Sequence, residues 1–160
     1  MTYARPELLV ETDWLADHLT DPDLRIFDCT THLIPDPDKV FTIESGLADY
    51  QAGHIPGAGY LDLQADLSDP EGKFRFTTPD AAAFAAALGG KGLTDGKRVV
   101  LYSTGAVFWS TRIWWMLHAF GIDHVVILNG GWQKWRAEDR EVSVTPCTYP
   151  AGKLTARHQD

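Results

Sequence analysis

Cysteine is scarce in this sequence, which has only Cys29 and Cys147 in 160 residues. Two cysteines allow at most one disulfide, and we expect both to be free thiols. The six histidines are scattered, and no cluster of cysteines and histidines has the spacing of a metal site. The sequence therefore predicts neither a metal site nor a cofactor.

Basic residues are also few, with 14 Lys and Arg against 22 Asp and Glu, for a net charge of −8. A chain of this charge is a poor partner for nucleic acid or for an anionic membrane surface. No apolar run approaches the length of a membrane span, and the first residues lack the apolar core of a signal peptide. We expect a cytoplasmic protein with no membrane partner.

The sequence is dominated by apolar segments that alternate between strand and helix patterns. A length of 160 residues, 44% of them hydrophobic, suits one domain with a sizeable core. The segments with strand character are 24–27, 57–63, 98–102 and 124–128. Helices are predicted near 12–19, 47–52, 81–88, 109–120 and 132–137. This alternation, with apolar strand centres, indicates an α/β fold whose parallel sheet is covered on both faces.

Two segments stand outside this alternation. Residues 30–46 contain Pro35 and Pro37 without a clear periodicity, and they are predicted to form a loop or a covering flap. Residues 141–160 are polar and contain proline, so they are predicted to be a tail or linker. The domain proper is then expected to span residues 1–140.

Three motifs carry a resemblance to a known family. Residues 53–58 read Gly-His-Ile-Pro-Gly-Ala, residues 128–135 fit Leu-x-Gly-Gly-x-x-x-Trp, and residues 112–117 read Arg-Ile-Trp-Trp-Met-Leu. With all three motifs in their expected places along the sequence, the chain resembles a rhodanese-like domain. It resembles most of all the N-terminal, non-catalytic half of tandem thiosulfate or 3-mercaptopyruvate sulfurtransferases. The resemblance implies a central parallel five-stranded sheet with helices on both faces. It also implies a family reaction in which sulfane sulfur passes from the donor to a thiophile.

The loop that carries the family's chemistry lacks its nucleophile. Family members form a persulfide on a cysteine at the first position of the loop after the strand 98–102, where this chain has Ser103. A serine hydroxyl does not ionise near neutral pH and cannot hold a sulfane sulfur. The resemblance thus implies no catalytic residue and a degenerate loop, which comprises Ser103, Thr104, Gly105, Ala106, Val107 and Phe108.

Other nucleophilic chemistries fit this loop no better. Phosphatases of related fold use Cys-x-x-x-x-x-Arg, and the arginine position is occupied by Trp109. Arg112 lies three residues further on, inside the predicted helix. The Gly-x-Ser-x-Gly elbow of acyl-transfer enzymes is absent.

Two alternatives remain open. Cys29 follows Asp28 at a strand end, where sites of α/β folds gather, so Asp28, Cys29 and Arg112 could line a cleft with Cys29 as the nucleophile. A buried structural cysteine is the commoner case. The chain could also be a stand-alone binding or regulatory module without catalysis.

Partners follow from the same resemblance. It implies a second rhodanese domain, covalently linked or separate, together with a small anionic sulfur donor. Val107, Phe108 and Trp109 occupy a loop and a helix start, and we expect them to face solvent or a neighbouring domain. His54 is predicted to hold its turn by hydrogen bonds rather than to act as a base, and Gly130-Gly131 to allow a close approach of strand and helix.

Overall fold

Seven strands, five α-helices and a short 3-10 helix (Pro6–Leu8) make up the fold, as seen in a computed structural model that describes residues 3–159. The strands are β1 (Leu9–Val10), β2 (Leu24–Asp28), β3 (Thr31–Asp36), β4 (Val40–Ser45), β5 (Gly59–Tyr60), β6 (Arg98–Tyr102) and β7 (Val125–Leu128). The helices are α1 (Thr12–Asp17), α2 (Leu47–Ala52), α3 (Ala81–Gly90), α4 (Phe108–Ala119) and α5 (Gly131–Ala137). Within residues 3–159, no helix has the length and apolar character needed to cross a bilayer.

A five-stranded sheet in the order β1-β7-β6-β2-β5 forms the centre of the molecule. Every neighbouring pair in it is parallel, and the register of β2 on β6 places Asp28 opposite Tyr102. This confirms the predicted α/β fold with a central parallel sheet. The edge strand β1 is two residues long and comes from the apolar run before α1, which gave no strand signal by itself.

Side chains alternate along the strands between two hydrophobic cores, one on each face of the sheet. On β6, Val99 and Leu101 belong to the core that packs against α3 and α4. Val100 and Tyr102 belong to the core on the other face, with Leu15 of α1 and Trp135 of α5. Helices therefore cover both faces, and the strands are apolar on both sides for that reason.

The segment predicted as a loop at 30–46 is instead an antiparallel hairpin of β3 and β4, and that prediction was wrong. Its turn is fixed by the Asp36 carboxylate, which accepts hydrogen bonds from the amides of Asp38 and Lys39 at 2.9 Å each. Pro35 is tolerated because each strand of a two-stranded sheet has one edge without a ladder partner. Runs of β-branched and aromatic residues flanked this turn in the sequence, and they were the signal for two strands.

Residues 141–159 form no helix or strand, yet they lie against the domain. The Tyr149 hydroxyl donates to the carbonyl of Gly57 at 2.5 Å and accepts from the amide of Ile26 at 3.1 Å. Leu154 is only 8% exposed and belongs to the core under α3 and α4. The segment thus packs on the domain, and its role as a linker to a second domain stays a prediction.

Gly46 offers a direct test of how the hairpin joins the sheet. A Cβ at this position would overlap the carbonyl oxygen of Thr30 and lie 2.6 Å from the Thr30 Cβ. Because backbone cannot move aside as a flexible side chain can, we expect Gly46→Ala to lower the free energy of unfolding by about 1–3 kcal/mol in urea titration. Gly90→Ala is the control, since a Cβ there meets nothing within 4 Å. It should leave the free energy of unfolding unchanged or raise it by less than about 1 kcal/mol, and equal losses in both variants would contradict the steric argument.

Candidate functional site

The loop from Ser103 to Phe108 leaves the carboxyl end of β6, at the edge of the sheet where parallel α/β folds bind ligands. Ser103 is 4% exposed. Its hydroxyl donates a hydrogen bond to the carbonyl oxygen of Ala106 at 3.0 Å. The Ser103 side chain is therefore engaged within its own loop.

A buried polar network ties the loop to β2. The Thr104 amide donates to the hydroxyl oxygen of Thr30 at 2.9 Å. The Thr30 hydroxyl donates in turn to the Asp28 carboxylate, which also accepts from the Thr30 amide at 2.9 Å. The Thr30 hydroxyl and the Asp28 carboxylate thus have partners within the network, and the Thr104 amide is directed to an internal partner rather than to a ligand.

Asp28 is 1% exposed at the end of β2. Burial raises the pKa of its carboxyl group, and the two hydrogen bonds from Thr30 oppose that rise. A carboxyl group in this position adds negative potential beneath the loop when it is ionised. An anion held above the loop would be repelled by it.

A pocket of about 440 Å³ lies between the Ser103 loop and the turn that joins β7 to α5. Gly131 allows this approach, because a Cβ at its position would lie 2.9 Å from the carbonyl oxygen of Ser103. This bears out the predicted role of Gly130-Gly131, and both residues have positive φ. No lysine or arginine is among the residues that line the pocket, which are Ser103, Gly105, Val107, Ser110, Leu128, Gly130, Gly131 and Gln133. Nothing in the lining offers the positive charge that a small anionic donor would require.

Arg112 does not join this pocket, so the predicted cleft of Asp28, Cys29 and Arg112 is not assembled. Its guanidinium donates to the carbonyl of Phe76 at 3.0 Å and to the hydroxyl of Thr78 at 3.3 Å. The same group lies 4.6 Å from the centre of the Trp115 ring. Arg112 thus links helix α4 to the segment that precedes α3.

Both cysteines are free thiols, as predicted. The Cys29 side chain is 0% exposed and lies in the core between the sheet, α3 and α4. Burial, reinforced by the neighbouring charge of Asp28, raises its pKa well above the ordinary value. Burial also raises the pKa of the half-buried Cys147. In residues 3–159, no three His, Cys, Asp or Glu side chains converge as the ligands of a metal ion would.

The predicted apolar cluster at the start of α4 is divided by the structure. Val107 and Phe108 are 59% and 51% exposed, as expected. Trp109 is only 6% exposed and packs in the core, edge-on to Phe76, so its assignment to the surface was wrong. One face of a helix turns inward every three to four residues, and Trp109 shares that face with Ile113 and Met116.

His54 has the structural role expected of it. Its two ring nitrogens lie 2.6 Å from the carbonyl oxygen of Tyr50 and 3.0 Å from that of Thr145. The ring also stacks on Tyr50. These contacts fix the turn before β5 and join it to the C-terminal segment.

Thr30 is the residue that the sequence did not reveal. In space it links β2 to the Ser103 loop and the loop to the hairpin, since its carbonyl accepts from the Gly46 amide at 3.1 Å. The only local signal was the Asp-x-Thr spacing, which allows an Asp side chain to bond the residue two positions on.

The family model of the rhodanese-like domain matches residues 11–138 of the chain. The 3-mercaptopyruvate sulfurtransferase of Escherichia coli K12 is 34% identical over 147 residues, which are 92% of this chain and 50% of that protein. The probable 3-mercaptopyruvate sulfurtransferase of Pseudomonas aeruginosa is 40% identical over 133 residues, covering 81% of this chain and 44% of that protein. The chain thus spans about half the length of these curated relatives.

Solved structures agree with this result. The crystal structure of the 3-mercaptopyruvate sulfurtransferase SseA from Escherichia coli superimposes with a TM-score of 0.84 at 32% identity, covering 95% of this chain and 56% of that one. The 3-mercaptopyruvate sulfurtransferase from Leishmania major superimposes with a TM-score of 0.75 at 25% identity, covering 95% and 41%.

The raised pKa of Asp28 predicts a particular dependence of stability on pH. A carboxyl group whose pKa is higher in the folded state binds its proton more tightly there than in the unfolded chain. Its contribution to the free energy of unfolding is complete below the ordinary value of 3.8 and is lost as pH rises through the raised folded-state value. Asp28→Asn keeps an acceptor oxygen for Thr30 and should remove this loss.

We therefore expect the free energy of unfolding of Asp28→Asn to increase relative to that of the wild type as pH rises above 3.8. Urea titrations at a series of pH values on both sides of that point measure the difference. Asp38→Asn, at an exposed position of the hairpin turn, is the control and should parallel the wild type. Parallel curves for Asp28→Asn and the wild type would show that the Asp28 pKa is not raised.

Proposed function

This chain belongs to the rhodanese-like domain family, and we propose that it is a non-catalytic domain that works beside a catalytic rhodanese domain in a sulfurtransferase. One observation carries the proposal: the position of the persulfide cysteine is occupied by Ser103, whose hydroxyl is bonded to Ala106 within the loop. The family's reaction then takes place on the partner domain.

The chemistry of sulfur transfer explains why the side chain at this position matters. A thiolate attacks the transferable sulfur of the donor, the rest of the donor leaves with the electron pair, and the resulting persulfide passes its outer sulfur to a thiophile. Each step needs a soft nucleophile that is ionised near neutral pH. Ser103 supplies neither property, and its pocket has no cation to stabilise a persulfide anion.

Cys29 is a poor substitute for the missing nucleophile. Its thiol is fully buried in the core and its pKa is raised, whereas reactive cysteines are accessible and have depressed pKa values. These properties weigh against an enzyme that acts through Cys29. The alternative of a stand-alone binding module shares the need for a docking surface and differs from our proposal in the identity of the partner.

The relatives suggest the donor class. The relatives from Escherichia coli and Pseudomonas aeruginosa are 3-mercaptopyruvate sulfurtransferases about twice as long as this chain. We infer that the chain corresponds to the N-terminal half of such a tandem protein, and that the assembled pair accepts 3-mercaptopyruvate or thiosulfate. The negative net charge of this chain and the uncharged pocket at Ser103 leave the recognition of these anions to the partner.

The isolated chain should not transfer sulfur from thiosulfate to cyanide. The expected turnover equals that of a Cys29→Ala/Cys147→Ala double variant, because no accessible thiolate is present in either. A steady-state assay of thiocyanate formation measures both proteins side by side. Turnover of the wild type well above that of the double variant would reveal a working cysteine and contradict the proposal.

Replacing Ser103 by cysteine should not create an active site. In a Cys29→Ala/Cys147→Ala background, we expect the thiol of Ser103→Cys to be alkylated with a pH dependence near the roughly 8.5 of an ordinary thiol, or above it. The physical reason is that Asp28 lies beneath the loop, the Thr104 amide is bonded to Thr30, and no cation lines the pocket. A strongly depressed pKa together with robust thiocyanate formation would show that the loop still stabilises an anion.

A further inference from the structure

A pocket of about 380 Å³ lies between β5, the end of α3 and the C-terminal segment. Its lining includes Gly59 and Tyr60 of β5, Gly90 of α3 and residues 146–149, and it shares no lining residue with the pocket at Ser103. The volume is within the range of sites that hold small molecules. We call this cavity the β5 pocket, and no step of the proposed function uses it.

Aromatic side chains provide much of the wall of the β5 pocket. Phe27, Tyr50, Tyr60 and Tyr149 all line it. Each of the three tyrosine hydroxyls donates a hydrogen bond to a backbone carbonyl, at distances between 2.5 and 2.8 Å. Because these hydroxyls already have acceptors within the chain, the tyrosines offer a ligand mainly the apolar surface of their rings.

The wall contributed by the C-terminal segment is held in place without a ligand. The Cys147 amide donates to the Tyr50 hydroxyl at 3.0 Å, and the carbonyl oxygen of Thr145 lies 3.0 Å from a ring nitrogen of His54. Further along the segment, Leu154 is anchored in the core under α3 and α4. The pocket is thus preformed, and a ligand binds it without the cost of ordering this wall.

Gly90 keeps one side of the pocket free of a side chain. Two neighbouring glycines are required by the fold: a Cβ at Gly89 would lie 2.6 Å from the carbonyl oxygen of Gly152, and Gly92 has a φ of +88°. Gly90 has neither constraint, because its φ is not positive and a Cβ there would meet nothing within 4 Å. Glycine is less favourable than alanine inside a helix. Gly90 therefore satisfies no packing or backbone requirement of α3, and it leaves access to the pocket.

The charged groups of the lining are two carboxylates and one ammonium. The Lys91 ammonium lies 2.7 Å from the Asp66 carboxylate, so these two charges offset each other. The Asp62 carboxylate accepts hydrogen bonds at 2.9 Å from the amides of Gln64 and Ala65. Within residues 3–159, no cationic side chain forms an ion pair with Asp62. The lining therefore carries one negative charge that no cation neutralises.

One aromatic ring of the wall already contacts a cation from outside the pocket. The Arg25 guanidinium lies 4.5 Å from the centre of the Tyr149 ring. Arg25 is not a lining residue, and it is held by a hydrogen bond to the backbone carbonyl of Gly92 at 2.9 Å. Aromatic rings attract cations through the negative potential of their faces, and Tyr149 does so within this chain.

We propose that the β5 pocket binds a small organic cation with an aromatic body. The aromatic wall receives the apolar body, and the Asp62 carboxylate together with the ring surfaces favours the cationic group. An anionic ligand is disfavoured, because Lys91 is the only cation of the lining and is paired with Asp66. This inference goes beyond the proposed function and does not depend on it.

Three probes of nearly equal size separate the contribution of the ring from that of the charge. Near neutral pH, phenethylamine is a cation, phenethyl alcohol is neutral and 3-phenylpropionate is an anion. Titration of the isotope-labelled whole chain, followed by its amide chemical shifts, measures each dissociation constant and locates the contact. We expect saturable shifts in residues 59–66, 90–91 and 146–149, with the highest affinity for the amine and the lowest for the carboxylate. Equal affinities, or tighter binding of the carboxylate, would overturn the assignment to a cation.

The role of the free carboxylate is tested by Asp62→Asn. This variant keeps an acceptor oxygen for the amides of Gln64 and Ala65, so the turn is preserved. It should weaken binding of phenethylamine about two- to fivefold, the value of a partly exposed charge pair, and leave binding of the alcohol unchanged. Asp69→Asn is the matched control, since Asp69 accepts from the Glu71 amide in the same way and does not line the pocket. Equal effects of the two substitutions on the amine would contradict a role for Asp62.

Access to the pocket is tested by Gly90→Leu, which should occlude it and abolish saturable binding of both the amine and the alcohol. Ala86→Leu is the matched control, because Ala86 is an exposed residue of the same helix outside the lining, and it should bind as the wild type does. Thermal unfolding verifies that both variants are folded, as expected where a Cβ at position 90 meets no atom within 4 Å. Binding that survives in Gly90→Leu, or shifts that lie outside the β5 pocket, would overturn the site.

A failure of this inference is distinguishable from a failure of the proposed function. A wild-type chain that shows no saturable binding of phenethylamine has no such cation site, which overturns the inference. The proposed function would stand in that case, because it rests on Ser103 and on a partner domain.

Discussion

The parallel pairing of β2 with β6 determines where the other parts of this molecule lie. Asp28 stands opposite Tyr102 at the last register position of the pair, so the segments that follow β2 and β6 leave the sheet at the same edge. From that edge β2 continues into Thr30 and the hairpin, and β6 continues into Ser103 and α4. The polar network of Asp28, Thr30 and Thr104 can form only because this register brings the two exits together.

That network explains how the Ser103 loop holds its shape through contacts within the chain. A loop that binds an anion directs its amides outward and needs the ligand to satisfy them. Here the Thr104 amide has Thr30 as its partner, and the Ser103 hydroxyl has the Ala106 carbonyl. Internal partners stabilise the loop, and the buried carboxyl group of Asp28 is part of that network. We therefore expect this arrangement to oppose the binding of an anion when Asp28 is ionised.

Most of the central sheet could be predicted from the sequence, because strands buried on both faces are continuously apolar and helices show their period. β6 and β7 are examples, since all four residues of β7 are buried. The hairpin could not be recognised in the same way: neither face is buried, so its strands show no alternation, and its prolines suggested a loop. Trp109 was misplaced because a helix start was treated as surface, although its spacing to Ile113 and Met116 already indicated the inner face.

The candidate site was less predictable than the fold, since its contacts join residues far apart in the chain. Arg112 bonds to residues 76–78 and Thr30 bonds to Thr104, and no local pattern identifies either partner. The sequence did indicate that position 103 is not a cysteine, because a sequence motif identifies this position without any knowledge of packing. Ser103 and the exposed apolar side chains of the hairpin, Val107 and Phe108 all follow strands that end at one edge of the sheet. Because this edge keeps apolar surface in solvent and no lysine or arginine lines its pocket, we expect contact with a protein there rather than the capture of a small anion.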